Sequence, residues 1–366
     1  MLKSQFLNES LIQAFIRLIS KHTGLEIRER DKNALSEKIS LRMKALKLKL
    51  PENYYQLLNL STQESYQEWK SLITLLTNIE SYFFRDQEQF SLLRTHILPE
   101  LIKRKQTDKI LRICSAGCSS GEEPYSLAIL LKELLPDLEQ WNVMIFGIDI
   151  NQEAIQKAKT GIYRPWSFRR VDGEIVQRYF QVVNNEYHLS SSIKQMVKFQ
   201  TVNLAKDLFP QPNTELRELD LIICRNVFIY FESSAIANVL NKFHDSLHPL
   251  GYLVTGHSEL YGQNLSQFQT KVFPESVVYQ RIANQGSDRP RETLSKEPIH
   301  PVENLSWELH NPDIVTALEN SNIKMQQTAL NLLKQLPPET LIAKMGNKTA
   351  AELIAQLETA LKIHNS

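Results

Sequence analysis

Ile110–Ala128 reads ILRICSAGCSSGEEPYSLA. Its first five residues, Ile110 to Cys114, form a short apolar strand pattern. Small residues follow, Ser115 to Gly121, and then Glu122, Glu123 and Pro124 open an apolar helical stretch. Strand, small-residue loop and helix N-terminus are the layout of a nucleotide-type cofactor site. Gly117 and Gly121 permit close backbone approach where a Cβ would clash, as with a ligand. Pro124 suits a first helical turn, where its missing N–H costs nothing.

The carboxylates narrow the ligand class. A phosphate-binding loop uses backbone N–H groups and a lysine, and this loop carries no Lys or Arg. Two acids at its end would repel a pyrophosphate. They suit a ligand with positive charge and no phosphate, and S-adenosylmethionine has that character. The alternative is an acidic helix start that only complements the dipole.

The chain has 366 residues, room for two or three domains. Its net charge of +1 gives no bulk attraction to nucleic acid or membrane. The three cysteines, Cys114, Cys118 and Cys224, lack paired metal-ligand spacing, so reduced thiols and no metal are expected. MLKSQFLNES has no signal-peptide apolar core. No apolar run reaches the ~18 residues of a membrane span. A soluble cytoplasmic protein without membrane insertion is expected.

Residues 1 to about 72 read as helices, with Leu11, Phe15, Leu18 and Ile19 on one face and Gly24 as C-cap. A second stripe, Leu35, Ile39, Met43 and Leu46, is backed by a basic face of Lys32, Lys38, Arg42, Lys44, Lys47 and Lys49. That face is either solvated or a docking surface for an acidic protein partner. Pro51 opens a third helix. Arg85 follows the apolar run Tyr82-Phe83-Phe84, and another helix runs from Phe90 to about Lys105.

From Ile110 strand and helix patterns alternate, which implies a parallel sheet covered on both faces. Val143–Ile150 is the second strand, with Asp149 near its end, where a carboxylate can accept ribose hydroxyls. Tyr187–Leu189 and Met196–Gln200 read as an antiparallel pair. Asn203 lies just past a strand, at the edge where an adenine would sit. Leu219–Tyr230, LDLIICRNVFIY, is a buried strand running into Arg225 and Asn226, at the end where open α/β sheets bind ligands. A helix and a hairpin, about 251–283, follow, and His257-Ser258-Glu259 reads as a turn. Residues 284–311 read as a polar, proline-rich linker, and 313–335 and 338–363 as helices.

SYFFRD, CSAGCSSGEEPYSLA, GIDI, VNL, ICRNVFIYF and GHSE together resemble the CheR family of chemotaxis methyltransferases, over about residues 10–283. The resemblance implies an α/β fold: a doubly wound, mostly parallel Rossmann-like methyltransferase sheet at 76–283 with a small antiparallel subdomain at about 181–200. An all-α N-terminal domain (1–75) would precede it, and a helical extension (312–366) would follow the linker. It implies S-adenosylmethionine as cofactor, S-adenosylhomocysteine as product, and chemoreceptor cytoplasmic helical domains as protein partners, methylated on glutamate; the basic helix 32–49, if it is a docking face rather than a solvated one, is where such a partner is expected.

Carried over by resemblance, Glu123 serves the methionyl amine, Asp149 the ribose, Asn203 and Leu204 the adenine, and Arg225 and Asn226 the methionine moiety. Gly117, Ser81 and Arg85 line the same pocket, and Tyr230 faces the transferred methyl. Arg85, Arg225 and Tyr230 form the candidate catalytic set. A gap-free match puts Ile79 where the family often has Asn or Gly, with Asn78 beside it. The hairpin at Asn184-Asn185 lacks the glycine-rich insertion of tether-binding members. Two other readings stand beside this one: a methyltransferase of another substrate class, and a non-catalytic S-adenosylmethionine-binding adaptor.

Overall fold

Asn8 starts the first helix, its Oδ1 accepting the Leu11 N–H at 2.8 Å. In the computed structural model, which describes residues 7–210, 215–283, 330, 334, 341–342 and 348–363, four helices come first. They are α1 (Glu9–Thr23), α2 (Lys32–Ala45), α3 (Pro51–Asn59) and α4 (Gln63–Leu76). Gly24 ends α1 in the left-handed conformation, donating its N–H to Ser20 O. Ile12, Phe15 and Ile19 meet Leu35, Ile39 and Met43, with Tyr54, Leu58, Trp69 and Leu72 closing the core. Leu46, expected in that stripe, is exposed beyond the end of α2. One ion pair is buried there. Arg42 grips Glu68 through two bonds of 2.8 and 2.7 Å, and Tyr54 donates to the same carboxylate at 2.7 Å.

Next come α5 (Gln87–Leu92), a π-helical turn at 93–97 and α6 (Leu98–Arg104). The sheet begins with β1 (Ile110–Ala116), followed by α7 (Glu122–Leu134), β2 (Asn142–Asp149) and α8 (Gln152–Thr160). A small three-strand sheet interrupts it: β3 (Ile162–Tyr163), α9 (Gly173–Tyr179), β4 (Phe180–Val183) and β5 (Glu186–Leu189). Then α10 (Ser191–Lys194) leads to β6 (Val197–Thr201), β7 (Leu219–Cys224), α11 (Ser233–Ser246), β8 (Leu247–Thr255), β9 (Phe268–Val272) and β10 (Val277–Arg281).

The main sheet has the order β6-β2-β1-β7-β8-β10-β9. Its first five strands are parallel, and β10 and β9 close it antiparallel. Successive residues serve opposite cores. Ile113, Ile145 and Leu221 pack on one face, while Cys114, Phe146 and Ile222 pack on the other. Helices therefore cover both faces, as in a doubly wound, Rossmann-like methyltransferase fold. Among the described residues no helix is long and apolar enough to cross a membrane.

Two expectations are corrected. Met196–Gln200 does not pair with Tyr187–Leu189. Val197 and Phe199 bury one face in the core shared with Tyr125 and Ile145, so β6 adds in parallel to the open edge of β2. The antiparallel subdomain instead spans 162–189 in the order β3-β5-β4. Its β4–β5 turn is Asn184-Asn185, with φ of 50° and 61°, the two-residue primed turn that Asn tolerates. The expected helix 338–363 is the second correction. Leu341–Ile342 (β11) pairs with Lys348–Thr349 (β12), and α12 starts only at Ala350, running to Ile363. A capping box sets that start: Thr349 N–H donates to Glu352 Oε2, and Glu352 N–H to Thr349 Oγ1. Residues 1–283 and 284–366 are separate compact units. The expected linker 284–311, and all of 313–335 but Leu330 and Lys334, lie outside the described residues.

Candidate functional site

The order β2-β1-β7 places the topological switch beside β1, and ligands of such sheets bind at the carboxyl ends there. A cavity of about 360 Å³ opens at that point. All ten expected residues line it: Ser81, Arg85, Gly117, Glu123, Asp149, Asn203, Leu204, Arg225, Asn226 and Tyr230. They come from the ends of β1, β2, β6 and β7 and from the segment before α5. Of the two candidates at the upstream position, Asn78 lines the cavity and Ile79 does not. Asn78 Oδ1 accepts the Glu80 N–H, a turn that leaves Ile79 exposed between them.

The glycine loop is spent on the protein itself. Gly117 and Cys118 both donate their N–H groups to Ile148 O, Gly121 to Cys118 O, and Ser119 to Asp149 Oδ2. Few amides are left to cradle a phosphate, so the loop is unsuited to a phosphorylated ligand. The two glycines also serve packing. A Cβ on Gly117 would collide with Val227, and one on Gly121 would meet Ala158 at 2.8 Å. Both have positive φ. Ser119 shares that strained conformation at φ 50°, and its hydroxyl donates to Ile79 O at 2.8 Å.

Only one of the two loop acids faces the cavity. Glu122 is buried behind it, accepting from Ser120 and Ser167 hydroxyls, and burial pushes its carboxyl up. The expectation that both acids set the ligand class is corrected accordingly. Glu123 accepts from Ser115 Oγ at 2.7 Å and from Arg225 Nε at 2.7 Å. The cavity's other acids are Asp149, Glu26, Asp31 and Glu80, against Lys38, Arg85 and Arg225. The lining remains acid-rich, which fits a cationic ligand without phosphate.

Asp149 Oδ2 and Oδ1 accept the Ser119 and Asn151 N–H groups at 2.8 Å each. Burial raises its carboxyl, and those N–H bonds oppose the rise. Each oxygen keeps a lone pair for a hydroxyl donor. Arg225 is 2% exposed at its side chain. Besides Glu123 it donates to Arg85 O and Gln89 Oε1 and lies 3.6 Å from Asp86. Its Nε and Nη1 donors are thus spent within the protein. Arg85 and Lys38 line the cavity with no carboxylate partner among the described residues. Arg85 is flanked by Phe84 and Asp86, both at positive φ. Asn226 at φ 59° turns the chain after β7, a conformation Asn tolerates. Glu259, in the expected GHSE turn, accepts the Gly256 N–H at 2.7 Å; burial raises its carboxyl while the amides of Asn226, Val227 and Ile229 lower it. Tyr230 is 42% exposed and its hydroxyl has no partner among the described residues.

The Asn203 side chain is consumed locally. Oδ1 accepts from Ala205 and Lys206 N–H groups, and Nδ2 donates to His22 O at 2.7 Å. The N-terminal helices thereby become a wall of the site, with Leu25, Glu26, Ile27, Asp31, Ala34 and Lys38 lining it. Glu26 N–H donates to Tyr230 O, Glu232 N–H to Gly24 O, and Leu25 bridges Phe231. No periodicity or motif in 24–38 signals this, because it follows from a docking 200 residues away in sequence. The basic face of α2 is also redistributed. Lys32 pairs with Glu9 and Glu29, Arg42 is buried on Glu68, and Lys38 turns to the cavity. Lys44, Lys47 and Lys49 stay exposed.

Comparison with known proteins agrees with this geometry. Residues 79–276 match the family model described as CheR methyltransferase, SAM binding domain. The chain is 35% identical to chemotaxis protein methyltransferase 2 of Vibrio cholerae, covering 62% of this chain and 77% of the relative. It is 31% identical to the chemotaxis protein methyltransferase of Borreliella burgdorferi, covering 68% and 87%. The chemotaxis protein methyltransferase of Escherichia coli is likewise 31% identical, covering 69% and 85%.

Proposed function

The chain belongs to the CheR methyltransferase family, and from that premise we propose that it transfers methyl groups from S-adenosylmethionine to glutamate side chains of chemoreceptor cytoplasmic domains. The observation that carries this reading is the acid-rich, phosphate-averse cavity at the switch point, lined by all ten expected residues. When bound, S-adenosylmethionine supplies a methyl group on a positively charged sulfur, and its loss leaves S-adenosylhomocysteine.

The protein's own groups divide the work. Asp149 accepts the ribose hydroxyls, and Leu204 meets the adenine. Glu123 faces the methionyl amine while its other oxygen is held by Arg225. The substrate glutamate is anionic at neutral pH, so no base is needed. The cavity lining accordingly contains no histidine. Arg85, without a carboxylate partner, draws the incoming carboxylate, and the free Tyr230 hydroxyl orients its oxygen. Alignment of this kind can supply roughly 7–11 kcal/mol of rate enhancement at its upper end. Among the described residues no cluster of His, Cys, Asp or Glu could hold a metal, and the proposed reaction calls for none.

The receptor would dock in the cytoplasm on the α2 end, where Lys44, Lys47 and Lys49 lie among the exposed Leu41, Leu46 and Leu50. The short Asn184-Asn185 turn favours a form that does not hold a receptor's C-terminal tail peptide tightly; tight binding of such a peptide in calorimetry would refute that part. The deciding experiment is radiolabelled methyl transfer from the cofactor to receptor cytoplasmic fragments. Base-labile label on the fragments supports the reading. Label on small molecules, or none, replaces it with another substrate class or with a binding-only adaptor.

A further inference from the structure

The turn 203–207 closes upon itself with one exception. Asn203 N–H donates to Asp207 Oδ2 at 2.8 Å. The Ala205 and Lys206 N–H groups go to Asn203 Oδ1, and the Lys206 and Asp207 N–H groups to Asn203 O. Among the described residues Leu204 N–H alone of the turn has no acceptor, although Leu204 is 7% exposed and lines the cavity. A little-exposed amide without a partner is costly. A ligand carrying an acceptor atom at that wall would satisfy it, and the ring nitrogens of adenine are such acceptors.

The carbonyls of the same turn converge on one cation. Lys242, on α11, donates to Leu204 O at 2.7 Å, Ala205 O at 3.1 Å and Asp207 O at 2.7 Å. Three carbonyls exhaust the three donors of an ammonium group. Among the described residues no carboxylate lies within ion-pair distance, and burial lowers the Lys242 pKa while the Asp207 charge opposes that. A planar guanidinium has no single atom with three donors, so arginine cannot reproduce this point-like convergence.

We propose that Lys242 is a positioning residue for the cofactor's adenine, gathering the carbonyls of Leu204, Ala205 and Asp207 so that the one unbonded amide of the turn stands ready at the cavity wall. The inference rests on S-adenosylmethionine as the cavity's ligand. It goes further by assigning a function to a helix residue that does not line the site.

The test uses the full chain and S-adenosylhomocysteine as probe, by calorimetry, on wild type, Lys242→Met and Lys242→Arg. Both variants should bind about tenfold or more weakly, the loss expected when a buried amide goes unpaired. Ligand-free melting should fall far less than that loss implies. Hydrogen exchange at Leu204 should slow on ligand addition in wild type and not in the variants. Wild-type affinity in either variant overturns the proposal, as does an affinity loss that simply tracks lost melting temperature across both. Failure of the wild type to bind the probe overturns the cofactor reading itself, and is distinguishable because it appears before any substitution.

Discussion

Arg225 shows how a residue type can be legible while its job is not. A buried strand ending in Arg-Asn points to a ligand site, yet the guanidinium is buried on Glu123, Arg85 O and Gln89. Removing one partner of a buried pair strands the other charge, at a cost of about 3–5 kcal/mol. Arg225→Met should therefore lose stability on that scale in urea melts, and adding Glu123→Gln should return part of it. An unchanged midpoint in the single variant would show the pair to be energetically idle. Asp149 and Tyr230 should separate by function. Asp149→Ala should abolish S-adenosylhomocysteine binding in calorimetry, because its two oxygens hold the Ser119 and Asn151 amides at the cavity wall and are the proposed acceptors for the ribose. Tyr230→Phe should keep that binding and lower turnover, since its hydroxyl has no partner among the described residues. Identical behaviour of the two variants would end this division of roles.

At the scale of elements, the segment after α1 is the joint between the N-terminal helices and the sheet. Gly24 has φ 77°, and a Cβ there would meet Ala205 Cβ at 2.9 Å, next to the 203–207 turn. Gly24→Ala should cost about 1–2 kcal/mol from the left-handed backbone alone. Because the clash falls on Ala205, it should also weaken ligand binding, so melting and calorimetry are both needed. A variant that melts early yet binds normally would show that the joint does not reach the cavity. For α2, only Lys44, Lys47 and Lys49 remain a clean docking face. Reversing those three to Glu should impair methyl transfer to receptor fragments while leaving S-adenosylhomocysteine affinity unchanged. Reversing Lys38 or Arg42 would be uninformative, because one lines the cavity and the other holds Glu68.

For residues 1–283 as a whole, His22 registers whether the helical domain is docked. Its ring stacks on Trp69 at 3.8 Å, its carbonyl takes the Asn203 amide, and Lys206 approaches its Nδ1 at 3.4 Å. Burial, reinforced by the Lys206 charge and opposed by Asp207, lowers its pKa to about 4. Below the ordinary imidazole value of 6.5 the unfolded chain takes up a proton that the folded one refuses. Stability should thus fall as pH drops from about 6.5 towards about 4. His22→Phe keeps a ring over Trp69 and cannot titrate, so its melting temperature should decline less over that window. Equal slopes would show that His22 titrates alike in the folded and unfolded chains.

The sequence by itself determined the fold class and the membership of the site. Alternating apolar strands and helices specify a doubly wound sheet, and such a sheet gathers the residues after its strands at one edge. Glu123, Asp149 and Asn226 were legible for that reason, since Asp149 ends β2 and the other two follow β1 and β7, whereas Leu204 came from the family resemblance. Only the tertiary structure decided which groups are available. Arg225 and the Asn203 amide are consumed by partners more than 100 residues away, Glu122 turns its back on the cavity, and β6 joins the main sheet rather than the subdomain. Lys38 and Lys242 gained their places through docking of helices onto turns. Hydrogen-bond partners are set by which surfaces pack together, and local patterning carries no record of that.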